Sequence, residues 1–317
     1  MRSWIVLLLC LAAPAAAQDW PAKPLRMVVP YAAGGLPDTM TRIVAPRVAG
    51  NLGQQVLVDN RPGAGGIAGS ELVAKAPADG YTLLVADVGQ VAINPHLYAK
   101  LPYDPRRDFA AVSLVGTSVL FLVAHASVPA NSFGELVALL RAHPGKYNYG
   151  SSGNGSIHHL AIEALKAALG LDIVHVPYKG TGQAVPALLG GQVSLLFSAL
   201  PSIDAQAKTG RVKLLAASTA QRSPEAPEVP TIAESGVPGF DFMPEIGIVA
   251  PAATPDAVIR RLSAAIAHAV QHPDTVQRFA QLGIVPVGST PETYAAAIRA
   301  SDERYGRAVR LSGARAE

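Results

Sequence analysis

Short apolar runs alternate with amphipathic stretches along almost the whole chain. LRMVVPY (25–31), QQVLVDN (54–60) and YTLLVAD (81–87) are β-branched or leucine-rich and closed by turn residues, which predicts short buried strands. Positions 37–50 and 66–76 carry helical spacing between them, and Pro46 predicts a kink or break in the first of these helices. The run AVSLVGTSVLFLVAHA (111–126) is long enough for two strands, or for one that crosses between domains.

The theme repeats further along. In SFGELVALLRAHPG, Ser132 and Glu135 have the spacing of a capping box. YNYGSSGNGSIHHLAIEALKAALG reads as strand, Gly/Ser loop and helix, with Ser156 as N-cap and Gly170 as the stop. DIVHVPYKG and QVSLLFSAL are strands around a helix near 182–190, and RVKLLAAST is another strand. Near the end, Thr254 is expected to cap a helix with Pro255 in its first turn, and Thr290 with Pro291 repeats that start. The alternation predicts an α/β protein with mostly parallel sheets flanked by helices. Two Gly-rich strand-to-helix loops, one in each half, predict two α/β domains with a cleft between them.

Composition narrows the class. Of 317 residues, 50% are hydrophobic and 15% charged, below the usual ~25% charged, so a sizeable core is expected and broad disorder is not. A net charge of +3 without a dense Lys/Arg run argues against nucleic acid and anionic membrane surfaces as partners.

The start, MRSWIVLLLCLAAPAAAQDW, has Arg2, an apolar run from Ile5 to Ala13 and the small residues Ala15-Ala16-Ala17. It reads as a secretory signal peptide over 1–17, leaving Gln18 first in the mature chain. The run is shorter than the ~20 residues that span a bilayer. Cys10 is the only cysteine, and Leu9 before it disfavours a lipid anchor. The mature chain is then cysteine-free, with neither disulfide nor thiolate metal site, and soluble outside the cytoplasm.

The two Gly-rich loops, YAAGGLPD (31–38) and GSSGNGS (150–156), follow strands and precede helices. Unpaired N–H groups and the helix dipole there favour anions, carboxylates included, without a basic side chain. Ser151, Ser152 and Ser156 add hydroxyl donors; the alternative is that the glycines only make tight turns. In NRPGAGGIAGS (60–70), Gly63, Gly65 and Ala68 satisfy G-x-G-x-x-A, and Asp87 lies near where a ribose acid would stand. An exported protein would not meet a dinucleotide, so a loop lining a cleft or a plain turn is the preferred reading. Asn154 breaks a G-x-S-x-G elbow. His158 and His159 are adjacent and cannot share a metal. His268 and His272 stand four apart without a carboxylate motif and read as a solvated helix face. No cofactor and no metal is expected.

The ordered set KPLRMVVPYAAGGLPDTMTR, NRPGAGG, PADGYTLL, NPHLYAKLPYDPRRDF, YGSSGNGSIHHLA, VHVPYKGTGQAVPALLGGQV and PGF…GIVAPAATP resembles the tripartite tricarboxylate transporter receptors, the Bug-type periplasmic solute-binding proteins. The similarity spans nearly the whole mature chain. It implies a two-domain, type II-like periplasmic binding protein, with domain one over 19–122 plus 246–317 and domain two over 123–245. It also implies a periplasmic monomer that closes around a small carboxylate or amino acid and serves membrane transporter subunits. By the same resemblance, the ligand-binding residues are Tyr31, Ala33, Gly34, Gly35 and Asp38 from the first domain. Ser151, Ser152, Gly153, His159, Tyr178, Lys179 and Gly180 come from the second.

Three positions depart from the family pattern: Asp87 where a small or hydroxyl residue is usual, Glu245 where an aromatic is usual, and Ser194 where Asp is frequent. Asp38 would be awkward beside a ligand carboxylate and is expected to cap or hold its loop. Lys179 either meets the ligand or makes a loop-fixing ion pair. If Asp87 and Glu245 both line the cleft, the expected ligand is zwitterionic or weakly charged, because like charges a few Å apart repel by on the order of 1 kcal/mol or more. If instead they face solvent or pair with Arg, that refinement falls. Two other functions stay open: a receptor feeding a signalling sensor, and an exported hydrolase using Ser152 or Ser156.

Overall fold

The structure is a computed structural model that describes residues 20–31, 33–178 and 180–315. The expected signal peptide with Cys10, and the candidate Lys179, lie outside the described residues.

In chain order the elements are β1 (Leu25–Val29), α1 (Leu36–Leu52), β2 (Val56–Asn60), α2 (Ile67–Ala74), β3 (Thr82–Ala86), a π-helical turn (Gly89–Ile93), α3 (Asn94–Leu97), α4 (Pro105–Asp108), β4 (Phe109–Ser118) and β5 (Leu120–His125). There follow α5 (Phe133–Ala142), β6 (Asn148–Ser151), α6 (Ile157–Leu169), β7 (Val174–Pro177), α7 (Thr181–Leu189), β8 (Leu195–Ala199), α8 (Asp204–Lys208) and β9 (Val212–Ala217). The chain ends with β10 (Glu245–Pro251), α9 (Asp256–Gln271), α10 (Pro273–Ala280), β11 (Ile284–Pro286) and α11 (Pro291–Ser312).

These strands form two sheets, ordered β11-β4-β10-β3-β1-β2 and β7-β6-β8-β5-β9. The run 111–126 is two strands in different sheets, with only Val119 between them. Both sheets are mixed, which corrects the expectation of mostly parallel ones. β1 runs parallel to β2 and β3, and β6 to β7 and β8, as helical crossovers require. The strands that carry the chain from one sheet to the other run the other way: β10 is antiparallel to β3 and β4, and β5 to β8 and β9. A strand arriving from the opposite sheet has no crossover helix to turn it round.

Alternation along the strands explains the core. Met27 and Val29 face Ile43, Val44 and Val48 of α1 and Leu262 and Ile266 of α9, whereas Val28 faces the opposite side. That opposite side is continuous across both sheets. Val28 and Leu84 of the first share one cluster with Leu122 and Phe197 of the second, closed by Leu160 and Leu165 of α6 and Tyr305 and Val309 of α11.

Three local expectations need correction. α1 runs unbroken through Pro46, which lies exposed on its outer face, so the packing residues keep their positions and core burial outweighs the local penalty. Thr254 does not cap α9: its hydroxyl donates to Pro251 O at 2.7 Å, and Pro255 takes the cap position. His272 lies beyond the end of α9 and caps α10 by accepting from Asp274 N, so it shares no helix face with His268. Elsewhere the caps follow the sequence: Ser132, Ser156 and Thr290 accept from the first-turn N–H groups of α5, α6 and α11, and Gly170 ends α6 in the left-handed region.

Candidate functional site

The first Gly-rich loop joins β1 to α1. Gly35 stands at the cap of α1 with extended backbone and no side-chain cap, and Pro37 in the first turn has no N–H to give. Gly34 sits at φ 86°, a conformation that favours glycine. Asp38, buried beneath the loop, accepts Gly34 N at 2.8 Å, Asn60 Nδ2 at 2.9 Å and Arg42 Nε at 3.0 Å. Burial pushes its carboxyl pKa up, but the hydrogen bonds from Arg42, Gly34 and Asn60 outweigh that and hold it below the usual range. Asp38 therefore fixes the loop from below, while Ala33, Gly34 and Gly35 are exposed above it. Asn60 also donates to Tyr31 O at 3.1 Å, tying the loop to the end of β2.

Next to this loop, Asp87 follows β3. Its carboxylate accepts Tyr31 O–H at 2.7 Å and Gly89 N at 2.6 Å. Gln90, fully buried in the π-helical turn, donates to Tyr31 Oη at 2.8 Å and Gly65 O at 3.2 Å and accepts Asp87 N at 2.9 Å. Asn94 adds a second donor to Gly65 O. Gly66 of NRPGAGG thus serves close packing: a Cβ there would lie 2.4 Å from Gln90 Nε2. Asp87 is half-buried, and burial raises its carboxyl pKa despite the hydrogen bonds from Tyr31, Gly89 and Gln90. Burial and the adjacent Asp87 raise the Tyr31 phenol well above its ordinary value.

Glu245 is buried and already engaged. It accepts Ser301 Oγ at 2.8 Å, and Arg304 stands 3.8 Å away, itself paired with Asp241 at 3.0 Å. Burial raises its pKa, with Ser301 and Arg304 acting against it. Of the two unusual acids, Glu245 is buried and Asp87 half-buried. Ser194, the third departure, bonds Asn148 Oδ1 through N and Oγ at 2.8 and 3.1 Å.

The second Gly-rich loop joins β6 to α6 and is held differently. Ser151 is fully buried, with Oγ 2.7 Å from His175 Nε2 and 3.1 Å from Gly153 N. Ser156 caps α6 and donates to Gly153 O at 2.7 Å. His159 accepts Gly155 N on Nδ1 at 3.0 Å and stacks on His175 with ring centroids 4.1 Å apart. Half-buried Ser152 pairs with His158 Nδ1 at 2.8 Å. Burial lowers the His158 pKa to about 4; it also lowers that of His159, where Glu163 opposes it. A serine beside a neutral imidazole is part of a hydrolytic site, but no acid is bonded to His158 among the described residues, so nothing orients it. Tyr178 N donates to Ser151 O at 3.1 Å. Gly180 caps α7 at φ 109° with no side-chain hydrogen bond.

Both loops are anchored on one segment, 87–97. Tyr31 bonds Asp87 at one end, and Gly155 packs on Leu97 at the other, so closely that a Cβ there would lie 2.1 Å from Leu97 Cδ2. The structure therefore brings Tyr31 and Asp87 together, and Ser151, Ser152, Gly153, His159 and Tyr178 together, and it seats Glu245 at the start of β10, bonded to α11. Sequence reasoning missed Asn60, Gln90, Leu97 and His175. Only His175 gave a signal, as a lone polar residue in an apolar strand. Among the described residues no cluster of three His, Cys, Asp or Glu is placed to hold a metal, and no helix is long and apolar enough to cross a membrane.

This geometry has relatives. Residues 40–313 match the family model described as the tripartite tricarboxylate transporter family receptor. Protein BugT of Bordetella pertussis is 37% identical over 96% of this chain and 94% of its own. The R. palustris protein Rpa4515, whose structure holds adipate, superposes with a TM-score of 0.84 at 32% identity, covering 94% of this chain and 99% of that one. MatC of Rhodopseudomonas palustris, with bound malate, superposes with a TM-score of 0.80 at 31% identity, covering 92% and 100%. These neighbours bind solutes and are not enzymes, which removes the hydrolase reading of Ser152 and Ser156. The chain is a solute-binding protein and belongs to the tripartite tricarboxylate transporter receptor family, the Bug-type receptors.

Proposed function

We propose that this chain is a periplasmic receptor that closes two domains around a small carboxylate and delivers it to a tripartite tricarboxylate-type membrane transporter. The domains are the two sheets with their helices, joined near Val119 and Pro244, and the signal peptide over 1–17 directs export. One observation carries the reading. α1 and α7 both open on a glycine cap without a side-chain hydrogen bond, at the ends of β1 and β7. Gln183 N–H is taken by Gly180 O and Pro37 has none, so the N–H groups offered to a ligand are those of Leu36 and Asp38 in α1 and of Thr181 and Gly182 in α7, where the helix dipole favours an anion. The exposed Ala33, Gly34 and Gly35 and the half-exposed Ser152, Gly153, Tyr178 and Gly180 form the contacts. The related structures with adipate and malate support a small dicarboxylate.

A second reading, a zwitterionic ligand such as an amino acid, is favoured by Asp87 alone, because Glu245 is taken up by Ser301 and Arg304. Calorimetric titration of the mature chain, freed of co-purified ligand, with adipate, malate and amino acids separates the two. Heat from the dicarboxylates supports the first reading and heat from amino acids alone the second; silence from both classes overturns carboxylate capture. Loss of uptake in a receptor-deleted strain distinguishes a transporter partner from a signalling sensor.

A further inference from the structure

The most unusual cluster outside the ligand-facing groups lies directly behind the second loop. His159 on α6 and His175 on β7 stack at 4.1 Å and 13°, and Tyr149 on β6 stacks on His175 at 4.8 Å. Each imidazole holds one point of the loop: His175 Nε2 meets Ser151 Oγ, and His159 Nδ1 accepts Gly155 N–H. That second bond requires a lone pair on Nδ1, so it exists only while His159 is neutral.

Gly155 is also the point where the loop meets the first sheet's segment, because it packs on Leu97 of α3. The same N–H that His159 holds therefore fixes the seam between the two halves of the site. Charged neighbours from the surrounding elements are few. On α6, Glu163 accepts Tyr149 O–H at 2.6 Å and pairs with Lys166 at 2.7 Å. His158, next to His159, faces Ser152. Glu163 favours a proton on the histidines and Lys166 opposes it, so the carboxylate that would rescue a charged imidazole is already neutralised.

We infer that His159 is a positioning residue for ligand capture: a neutral-imidazole latch, backed by His175, that holds Gly155 and hence the seam between the two halves of the site, and that a proton releases. A protonated His159 presents N–H to the Gly155 N–H, and protonating both rings would stack two cations. Burial, with the partner histidine adding repulsion, lowers the His175 pKa to about 4, in line with this environment. The link from latch to binding rests on the proposed carboxylate function; the latch itself does not.

The test uses the mature chain and two substitutions. His159→Asn keeps an acceptor near Nδ1 without a titrating ring, and His159→Leu removes it. Amide exchange at Gly155, corrected for intrinsic rates, is followed without ligand from pH 7.5 to 4.5, and adipate affinity is measured over the same range. In wild type, protection of Gly155 and adipate affinity should each fall by about tenfold toward pH 4.5, one pKa-unit equivalent of coupling. In His159→Asn both falls should be clearly smaller, the remainder coming from His158 and His175, and in His159→Leu protection should be lost at every pH. Equal protection of Gly155 in wild type and His159→Leu overturns the latch, as does the same pH slope in wild type and His159→Asn. If wild type fails to bind adipate even at pH 7.5, the carboxylate function is at fault, and the exchange measurements alone decide the latch.

Discussion

The two Gly-rich loops share a pattern of strand, glycines and helix, yet they are built by opposite chemistry. The 31–38 loop is exposed and rests on one charged group, Asp38, which gathers donors from Gly34, Asn60 and Arg42. The 150–156 loop is drawn into the core and rests on neutral groups: the hydroxyls of Ser151 and Ser156 and the imidazoles of His159 and His175. The difference matters for anion binding. A carboxylate in the first turn of α1 competes with any anionic ligand for the same dipole, and Arg42 offsets its charge. The neutral second loop leaves the field of its helix unopposed.

The sharpest contrast is between glycines. Gly155→Val would place a branched side chain at φ 72° and against Leu97. Left-handed strain of ~1–3 kcal/mol and overpacking of ~1–3 kcal/mol together predict a loss of roughly 2–6 kcal/mol. Gly34→Ala has φ 86° but nothing within 4 Å of its Cβ, so only the strain remains, at about 1 kcal/mol or a little more. Urea unfolding of both variants checks this, and equal losses would show that the second loop is not the more tightly packed.

Removing the charged support comes next. Asp38→Ala leaves Gly34 N–H and Asn60 without their acceptor and should destabilise by about 1–3 kcal/mol. The pH dependence separates the loops by sign. Asp38 has a depressed pKa, so its contribution is complete above the ordinary carboxylate value of ~3.9 and is lost as pH falls below it, through the folded-state value. His158 and His175, depressed to about 4, resist protonation in the fold, so stability is lost progressively as pH falls from the ordinary histidine value of ~6.5 toward about 4. Acidification should therefore loosen 150–156 before 31–38. Exchange mapping at pH 5 that finds 31–38 open and 150–156 closed would reverse the assignment.

Much of this was legible in the chain. The strand and helix pattern, the Ser132, Ser156 and Thr290 caps and both Gly-rich loops follow from local rules, because each depends on neighbours within about four residues. What the sequence hid is long-range. Pairing of β10 and β5 against their neighbours depends on how the chain passes between sheets, which no local period encodes. Gln90 and Asn94 look like ordinary helix residues until Gly65 O is found between them. Arg304 gives no sign in sequence that it stands beside Glu245, 59 positions away along the chain. Glu245 thus follows the alternative, pairing with an Arg.

The smallest predicted effect bears on that pair. Asp87→Asn keeps an oxygen to accept Tyr31 O–H but removes the charge. Near a half-buried carboxylate, a second ligand carboxylate several Å away is repelled by on the order of 1 kcal/mol, so dicarboxylate affinity should rise by about fivefold. An amino acid held through its ammonium group should instead weaken by a similar factor. Glu245→Gln should leave both affinities within about twofold, because that carboxylate lies buried against Ser301 and Arg304. Its effect should appear in stability, where Arg304 keeps Asp241 but loses its second acid. A reversed outcome, with Glu245→Gln changing ligand preference and Asp87→Asn changing nothing, would move the selective charge from the end of β3 to the start of β10 and its partners on α11.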